Sequence, residues 1–436
     1  MKPKIKIKYC KRCLYPENAK PTIIFDEEGV CSGCRYHESR KSVEVDWTER
    51  QAMLEKILDE AQQMAHQRGS SHDCIVPVSG GKDSHFQVWL LKKKYGMNPL
   101  LVTFNHAFNS LAGLCNLENL VQKSGCDLVR YTAGLDSVRR ISSYMLKTVG
   151  DLTWHYHAGI RTFPIQVAVK YNIPLIVWGE HGFAELTGLV SIEDFVEFTR
   201  WSRKEHDMRG YEPHDLIGKA GITLKDVAPY VYPSDEDIEK TGVRGIYLSN
   251  YLVWDGKLQV ENMIRQWGFS PVAYERDRTF NLYAKIEDHA NDVHDYLKYL
   301  KFGYGRATDD ASMEIRHGRM TRDEGIAMVK RYDSRVPTSL GNYCDFLDIP
   351  KDEFYAILDS QRDSNIWQHD GQKEWVLVDS IDRHVIDDSF GSQGVRQVAD
   401  RTFSSENRHL YYNPANPPLP YGIEALDQQR SYFCVL

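Results

Sequence analysis

The chain contains no run of 18 apolar residues, so no segment of its 436 residues reads as a membrane-spanning helix. It lacks a basic excess. Fifty-four lysines and arginines against 61 aspartates and glutamates give a net charge of −7, whereas a nucleic-acid binder shows a clustered basic face. The alternating Lys2, Lys4, Lys6 and Lys8 read as one face of a short strand. No secretory leader is legible, so the nine cysteines are expected in a reducing, cytoplasmic setting rather than in disulfides. The Walker loop Gly-x-x-x-x-Gly-Lys-Ser/Thr is missing. So is a glutaminase nucleophile: Lys2, not cysteine, follows Met1, and none of Cys74, Cys115, Cys126, Cys344 or Cys434 stands in Gly-x-Cys-x-Gly. No internal repeat is legible.

What is present begins with Asp73-Cys-Ile-Val-Pro-Val-Ser-Gly-Gly-Lys-Asp-Ser84. An apolar, β-prone run ends in Ser79-Gly80-Gly81-Lys82-Asp83-Ser84, and Phe86, Trp89 and Leu90 then mark one face of a helix. A strand, a glycine turn and a helix start make an anion site, because glycines let the backbone approach and the first N–H groups point at bound oxygens. Ser79 and Ser84 can add hydroxyls, Lys82 adds charge, and Asp83 can hold a magnesium ion bridging phosphates. The string resembles the PP-loop of the adenine nucleotide α-hydrolase superfamily. That resemblance implies ATP cleaved between its α and β phosphates.

The second strong pattern is Cys10-Lys-Arg-Cys13 with Cys31-Ser-Gly-Cys34, two knuckles separated by 17 residues. The spacing reads as a closed, structural zinc site of four thiolates. An iron–sulfur cluster is the rival, and Gly33 is expected to ease the second turn.

Between these landmarks the chain divides into four stretches: a zinc module over 1–45, an ATP-binding domain over 46–190, a helical substrate and pyrophosphate region over 191–365, and an appended tail over 366–436. A helix is expected over 48–66. Strands are expected at Cys74–Val78, Pro99–Phe104, Asp127–Tyr131 and Pro174–Trp178, with helices between them, among them Leu114–Lys123 and Phe163–Tyr171. This alternation implies an α/β fold with a doubly wound, Rossmann-like parallel sheet. Ligands bind at the carboxyl ends of such strands, so Ser79–Ser84, Phe104-Asn105-His106 and Gly179-Glu180-His181 should converge. Thr321-Arg-Asp-Glu324 reads as a capping box. Asn413–Pro420 reads as extended, in a tail that wraps the body or meets a partner.

Together these segments resemble the N-acetyl sugar amidotransferases of bacterial surface-polysaccharide and lipopolysaccharide O-antigen pathways. The resemblance covers roughly residues 8–365. It rests on the two knuckles, Ser79–Ser84, His157-Ala-Gly-Ile160, Phe163-Pro-Ile-Gln166, Ile173–Glu180, Tyr304–Asp310 and Glu314–Arg319. It implies that an acetamido group becomes an acetamidino group. The amide oxygen takes AMP from ATP, pyrophosphate leaves, and ammonia then displaces AMP to give the amidine. It further implies a nucleotide-linked N-acetyl sugar as substrate and a separate glutaminase subunit supplying ammonia. Phe104 and Asn105 would meet adenine, and Gly179 would let the backbone approach the nucleotide.

Within that chemistry Lys82 and a magnesium ion on Asp83 suit phosphate neutralisation. Arg306, Arg316 and Arg319 are candidates for pyrophosphate or an anionic sugar nucleotide, since guanidinium forks pair with phosphate. His155, His157, Glu180 and His181 are candidates for proton handling during ammonia attack, with weaker claims for Asp309 and Asp310. A tRNA thiolase would share the knuckles and the ATP site, but it needs a basic face and a poised cysteine, for which Cys126 is the one weak candidate. A non-catalytic scaffold is disfavoured by the intact Lys82-Asp83-Ser84.

Overall fold

The computed structural model describes residues 7–42, 45–372, 374–384, 402–403 and 408–411. Lys2, Lys4, Lys6, the 413–420 stretch and Cys434 lie outside them. At its centre is a sheet of five parallel strands, β1 (Ile75–Pro77), β2 (Leu100–Phe104), β3 (Leu128–Tyr131), β4 (Leu175–Trp178) and β5 (Arg244–Tyr247). Their order is β3-β2-β1-β4-β5. That is the doubly wound order, with its switch point between β1 and β4, where such sheets open a crevice at their carboxyl ends.

Strand alternation decides what covers each face. Cys74, Val76, Val78, Leu101 and Val177 pack against Leu54, Leu58 and Ala61 of α2 (Trp47–Gln67) and Leu120 of α4 (Leu111–Ser124). Ile75, Leu100, Val102 and Ile176 face the other way, onto Ile165 and Ala168 of α6 (Trp154–Tyr171). Asp46 starts α2 by accepting from Thr48 N and Glu49 N.

The four expected strands are present, and two expectations need correction. The region read as helical from 191 contributes β5, so the boundary at 190 falls inside the sheet. Arg244 and Gly245 leave too little apolar pattern there to announce a strand, and its pairing with β4 supplies what the pattern lacks. Helix α6 begins at Trp154 rather than Phe163 and runs through Pro164. Proline usually opens a helix, but burial of Trp154, Tyr156 and Ala158 carries this one across it. His155 and His157 therefore lie on its first turn.

Beyond β5 come the helices Gly256–Trp267, Ala290–Phe302, Arg306–Arg316, Arg322–Tyr332, Leu340–Leu347 and Lys351–Ser360. The Thr321–Glu324 capping box forms, with Glu324 N donating to Thr321 Oγ1 and Thr321 N to Glu324 Oε2. Of these, Gly256–Trp267, Arg306–Arg316 and Arg322–Tyr332 share a core with Leu14, Leu410 and Tyr411. A hairpin, Trp367–His369 with Trp375–Leu377, lies against the body through Trp367 Nε1 donating to Leu300 O. Among the described residues no helix is long and apolar enough to cross a membrane.

Candidate active site

Strand β1 delivers the glycine turn to the switch point. Gly80 has φ +85°, and a Cβ there would lie 2.4 Å from Gly113 O, so both conformation and space demand glycine. Ser79 N donates to Ser84 Oγ at 3.0 Å and Gly81 N to Ser79 Oγ at 3.3 Å, folding the loop onto the start of α3 (Lys82–Trp89). No side chain caps α3, whose N-cap is Gly81. Its first amides and dipole are thus available to an anion.

Lys82 Nζ donates to Asp83 Oδ1 at 2.5 Å. Burial opposes the lysine charge, but Asp83, Glu180 and Glu287 outweigh it and hold the ammonium above the ordinary lysine range. Glu180 follows β4. Burial, then the Asp83 charge, push its carboxyl above the usual range, with Lys82 opposing. Asp83 and Glu180 beside the glycine turn are hard oxygen ligands, and a divalent ion between them would relieve the repulsion that Glu180 feels, so the residues fit magnesium. Ser79–Ser84 and Glu180 therefore come together as the sequence suggested.

The C-terminal region also reaches this loop. Ser110 N donates to Glu287 O at 3.1 Å, and Asn109 bridges Asp288. Ser79 Oγ donates to Glu287 Oε1 at 3.3 Å, while Glu287 Oε2 is sealed with no hydrogen-bond partner among the described residues. On the next residue, Asp288 Oδ2 lies 3.5 Å from His106 Nδ1 at the end of β2. Burial pulls His106 down, but Asp288 outweighs it and holds the imidazole above the ordinary range. Lys285 adopts a left-handed φ of 53°, its carbonyl held by Arg276 Nη2 at 3.0 Å. The sequence reading missed Lys285, Glu287 and Asp288 and gave His106 no role. Lys285-Ile-Glu-Asp288 is an ordinary polar stretch until the fold carries it to the glycine loop.

Other candidates are engaged elsewhere. The Phe104 ring is 2 % exposed and stacks on Tyr131 at 5.4 Å, so it faces the core. Asn105 organises its own loop, accepting from Ala107 N and Asn109 Nδ2. Gly179 lies against Gln87, whose amide would be 2.0 Å from a Cβ. Arg306 grips Asp295 through two bonds at 2.9 and 2.7 Å and lies 3.1 Å from Asp309, which also accepts from Lys298 and Tyr15. Arg319 grips Glu314 at 2.7 and 2.9 Å and Asp255 at 2.7 Å. Arg316 faces thiols, as described below. Arg306 and Arg319 thus meet carboxylates of the protein, and Arg316 meets sulfurs and backbone carbonyls, so none of the three guanidiniums is shown open to a phosphate. Asp310 accepts from Thr279, and burial pushes it to about 6.

The histidines are likewise structural in their contacts. His155 Nδ1 meets Ser142 Oγ and its Nε2 meets His106 O, both at 3.2 Å, and burial holds it down to about 4. His181 caps α7 (Gly182–Thr187) by accepting from Ala184 N, and burial holds it at about 4. His157 converges with Asp151 and His294. Thr153 Oγ1 donates to Asp151 Oδ1 and lies 3.4 and 3.0 Å from the two Nδ1 atoms, and Arg209 Nε donates to Asp151 Oδ2 at 3.0 Å. A hydroxyl already fills their meeting point and a guanidinium already balances the carboxylate. The trio is a hydrogen-bonded hub, poorly suited to a cation.

The four N-terminal cysteines converge, all buried. Cys10 and Cys34 sulfurs are 3.9 Å apart, and Cys13 and Cys31 sulfurs 3.5 Å. Arg12 N, Cys13 N and Cys31 N all point at Cys10 Sγ, at 3.4, 3.4 and 3.3 Å. The donor set could hold a metal ion.

Residues 274–382 match the family model described as "LPS biosynthesis protein WbpG-like, C-terminal domain". That part of the chain is similar to a WbpG-like C-terminal domain. It carries Glu287, which meets Ser79 of the glycine loop, and Asp288, which meets His106 at the end of β2. An uncharacterized protein of Methanocaldococcus jannaschii is 24% identical over 123 residues, covering 28% of this chain and 41% of that protein's length. Three solved structures are similar at low identity. NMN synthetase from Francisella tularensis is 12% identical, covering 45% of this chain and 93% of that one, with a TM-score of 0.26. NH3-dependent NAD synthetase from Campylobacter jejuni is 13% identical over 45% and 92%, with a TM-score of 0.25. U34-tRNA thiolase NcsA from Methanococcus maripaludis, with its [4Fe-4S] cluster, is 13% identical over 60% and 83%, with a TM-score of 0.22.

Proposed function

We propose that the protein is an ATP-dependent amidotransferase that converts the acetamido group of a nucleotide-linked N-acetyl sugar into an acetamidino group, with zinc in its thiol knuckle. The observation that carries the reading is the junction of a PP-loop-type glycine turn with a WbpG-like domain at Ser79 and Glu287. The amide oxygen attacks the α-phosphorus, an O–P bond forms, the α–β bridge breaks and pyrophosphate leaves. Ammonia then attacks the imidate carbon, a C–N bond forms, the C–O bond breaks and AMP leaves with the amide oxygen. Lys82 and the α3 amides receive the phosphate charge, and the loop orients the nucleotide, the two contributions that dominate phosphoryl-type transfer. Asp83 and Glu180 would hold magnesium, which supplies further charge neutralisation.

Ammonia delivery by a separate glutaminase accords with three of the four described cysteines outside the knuckle: Cys74, Cys126 and Cys344 are buried and burial pushes each thiol upward, while Cys115 is exposed. A raised Cys126 thiol also disfavours the thiolase reading, which needs a thiolate. Zinc suits the sulfur spacing, since arms of about 2.3 Å set tetrahedral edges of about 3.8 Å. The test incubates the protein with ATP, magnesium, ammonium and a panel of nucleotide-linked N-acetyl sugars. A product in which NH replaces O, with AMP and pyrophosphate in equal amounts, is expected. Ammonium should serve the isolated chain and glutamine should not. Glutamine hydrolysis by the purified chain alone, or ATP cleavage to ADP, would overturn the reading.

A further inference from the structure

Arg316 closes the helix Arg306–Arg316 and is 6 % exposed. Its Nη2 lies 3.8 Å from Cys13 Sγ and 3.6 Å from Cys31 Sγ, while its Nη1 donates to Glu185 O at 2.9 Å and Leu186 O at 2.8 Å. Those carbonyls belong to α7, whose N-cap His181 directly follows Glu180. We propose that Arg316 is a positioning residue that ties the occupied thiol knuckle to α7 and so fixes Glu180 at the nucleotide site. The proposal rests on the ATP-binding reading above.

Three further contacts make the junction stiff. Ser32 Oγ, on α1 (Ser32–Ser39), donates to Thr187 O at 2.5 Å. A Cβ on Gly188 would lie 2.4 Å from Ser32 O, and Arg40 of the knuckle side pairs with buried Glu185. A Cβ on Gly33 would lie 2.3 Å from Arg316 Nη2. Gly33 has no positive φ, so the turn itself does not require glycine there. The Leu186 carbonyl, 2.6 Å from such a Cβ, and the guanidinium beside it do, which replaces the expectation that Gly33 eases the knuckle. Because α7 has six residues, holding its carbonyl end sets where its amino end, and Glu180, can lie.

Charge supplies the sensing. Four thiolates around one divalent ion carry two net negative charges in a buried place. Arg316 answers them directly, and Arg322 feels Cys10 and Cys13. With the knuckle emptied, the two sulfurs that Arg316 Nη2 meets at 3.8 and 3.6 Å are no longer pinned to one ion, and its hold on α7 loosens. Linkage then requires reciprocity: if metal in the knuckle tightens nucleotide binding, nucleotide must tighten metal binding by the same factor.

The experiment uses the full chain with the metal it carries on purification, Arg316→Lys and Arg316→Met variants, and α,β-methylene ATP with magnesium as probe. Chelator-driven metal release and probe affinity are both measured, and circular dichroism reports folding. Arg316→Lys keeps the charge but loses the two-sided fork. It should retain metal yet bind the probe between about 5- and 150-fold more weakly, the span of ordinary coupling. Saturating probe should slow metal release from the natural protein and not from Arg316→Lys. If the Met variant fails to fold, Ser32→Ala, which removes another strut to α7, should show a smaller version of the same loss. Natural probe affinity in a folded Arg316→Lys protein, or metal release indifferent to probe in the natural protein, would overturn the coupling. A natural protein that does not bind the probe at all would fail the ATP reading itself, and the proposal with it.

Discussion

The thiol knuckle and the proposed nucleotide site are built by opposite means. The knuckle draws its four donors from 25 consecutive positions, Cys10 to Cys34, and a spacing rule finds all of them. The nucleotide site draws Ser79–Ser84 from one turn, Glu180 from the end of β4 and Glu287 from a segment 208 residues away from Ser79. A short-range site is specified by local turn geometry. A long-range site is specified by the sheet order and by which loop the C-terminal domain reaches.

The comparison breaks first at the knuckle. Cys10→Ser should lose metal and much of the thermal stability, since structural zinc contributes on the order of 10 kcal/mol of folding free energy in small finger peptides. Metal analysis and a melting curve check this. A variant that melts like the natural protein would mean that the knuckle contributes little to the fold. At the nucleotide site the expected damage is to rate. Lys82→Met should lower pyrophosphate release on the order of 10²–10³-fold, as removal of one preorganised charge-stabilising donor does, with the melting temperature nearly unchanged. Asp83→Asn should likewise abolish release in a folded protein. Full activity in either variant would remove the glycine turn from the chemistry.

These expectations also show where reading the sequence stops. Four strands were legible from apolar runs, while β5 was hidden by Arg244 and Gly245 because its pairing with β4 does the work that pattern does elsewhere. The string Ser79–Ser84 announced its turn, yet nothing in Arg306, Arg316 or Arg319 distinguishes a phosphate ligand from a structural cation. Their partners, Asp295, Glu314, Asp255 and two cysteine sulfurs, arrive through the fold. The same holds for His155, whose ring is spent between Ser142 and a backbone carbonyl. Charged side chains advertise chemistry, and only their neighbours decide whether it is used.

The long-range contact can be probed without touching a functional group. A Cβ on Gly113 would lie 2.4 Å from Glu287 Cα and 2.7 Å from Glu287 O, both backbone, so Gly113→Ala must push the C-terminal segment off the glycine loop. A destabilisation of about 1–3 kcal/mol is expected, the usual range for overpacking, together with weaker nucleotide binding. Gly341→Ala is the control: a Cβ there meets nothing within 4 Å and the glycine has no positive φ. Equal behaviour of the two variants would mean that the Glu287 segment gives way freely and does not help to build the site.

The smallest expected effect concerns protons. Burial holds His85, His155, His181, His294 and His317 at about 4, against about 6.5 in an unfolded chain. Their folded values are depressed, so below about pH 6.5 the unfolded chain takes up protons that the fold refuses, and stability falls as pH drops toward 4. His106 has the opposite sign: Asp288 holds it above the ordinary range, so its contribution is present below about 6.5 and lost as pH rises through its folded value. His37 and His157 are depressed as well, so seven histidines against one lose stability on acidification, while the raised carboxyls of Glu185, at about 7, and Asp310, at about 6, act with the opposite sign. The share of one residue is measurable at His155, which is fully buried. Between pH 7.5 and 6 its linkage amounts to about 0.8 kcal/mol. His155→Gln removes that proton, so whatever the variant costs at pH 7.5, its further loss by pH 6 should be smaller than the natural protein's by about that amount. Denaturant titrations at the two pH values check the difference. Parallel slopes would show that the folded protein already accepts a proton at His155, and would return that side chain to the candidates for proton transfer.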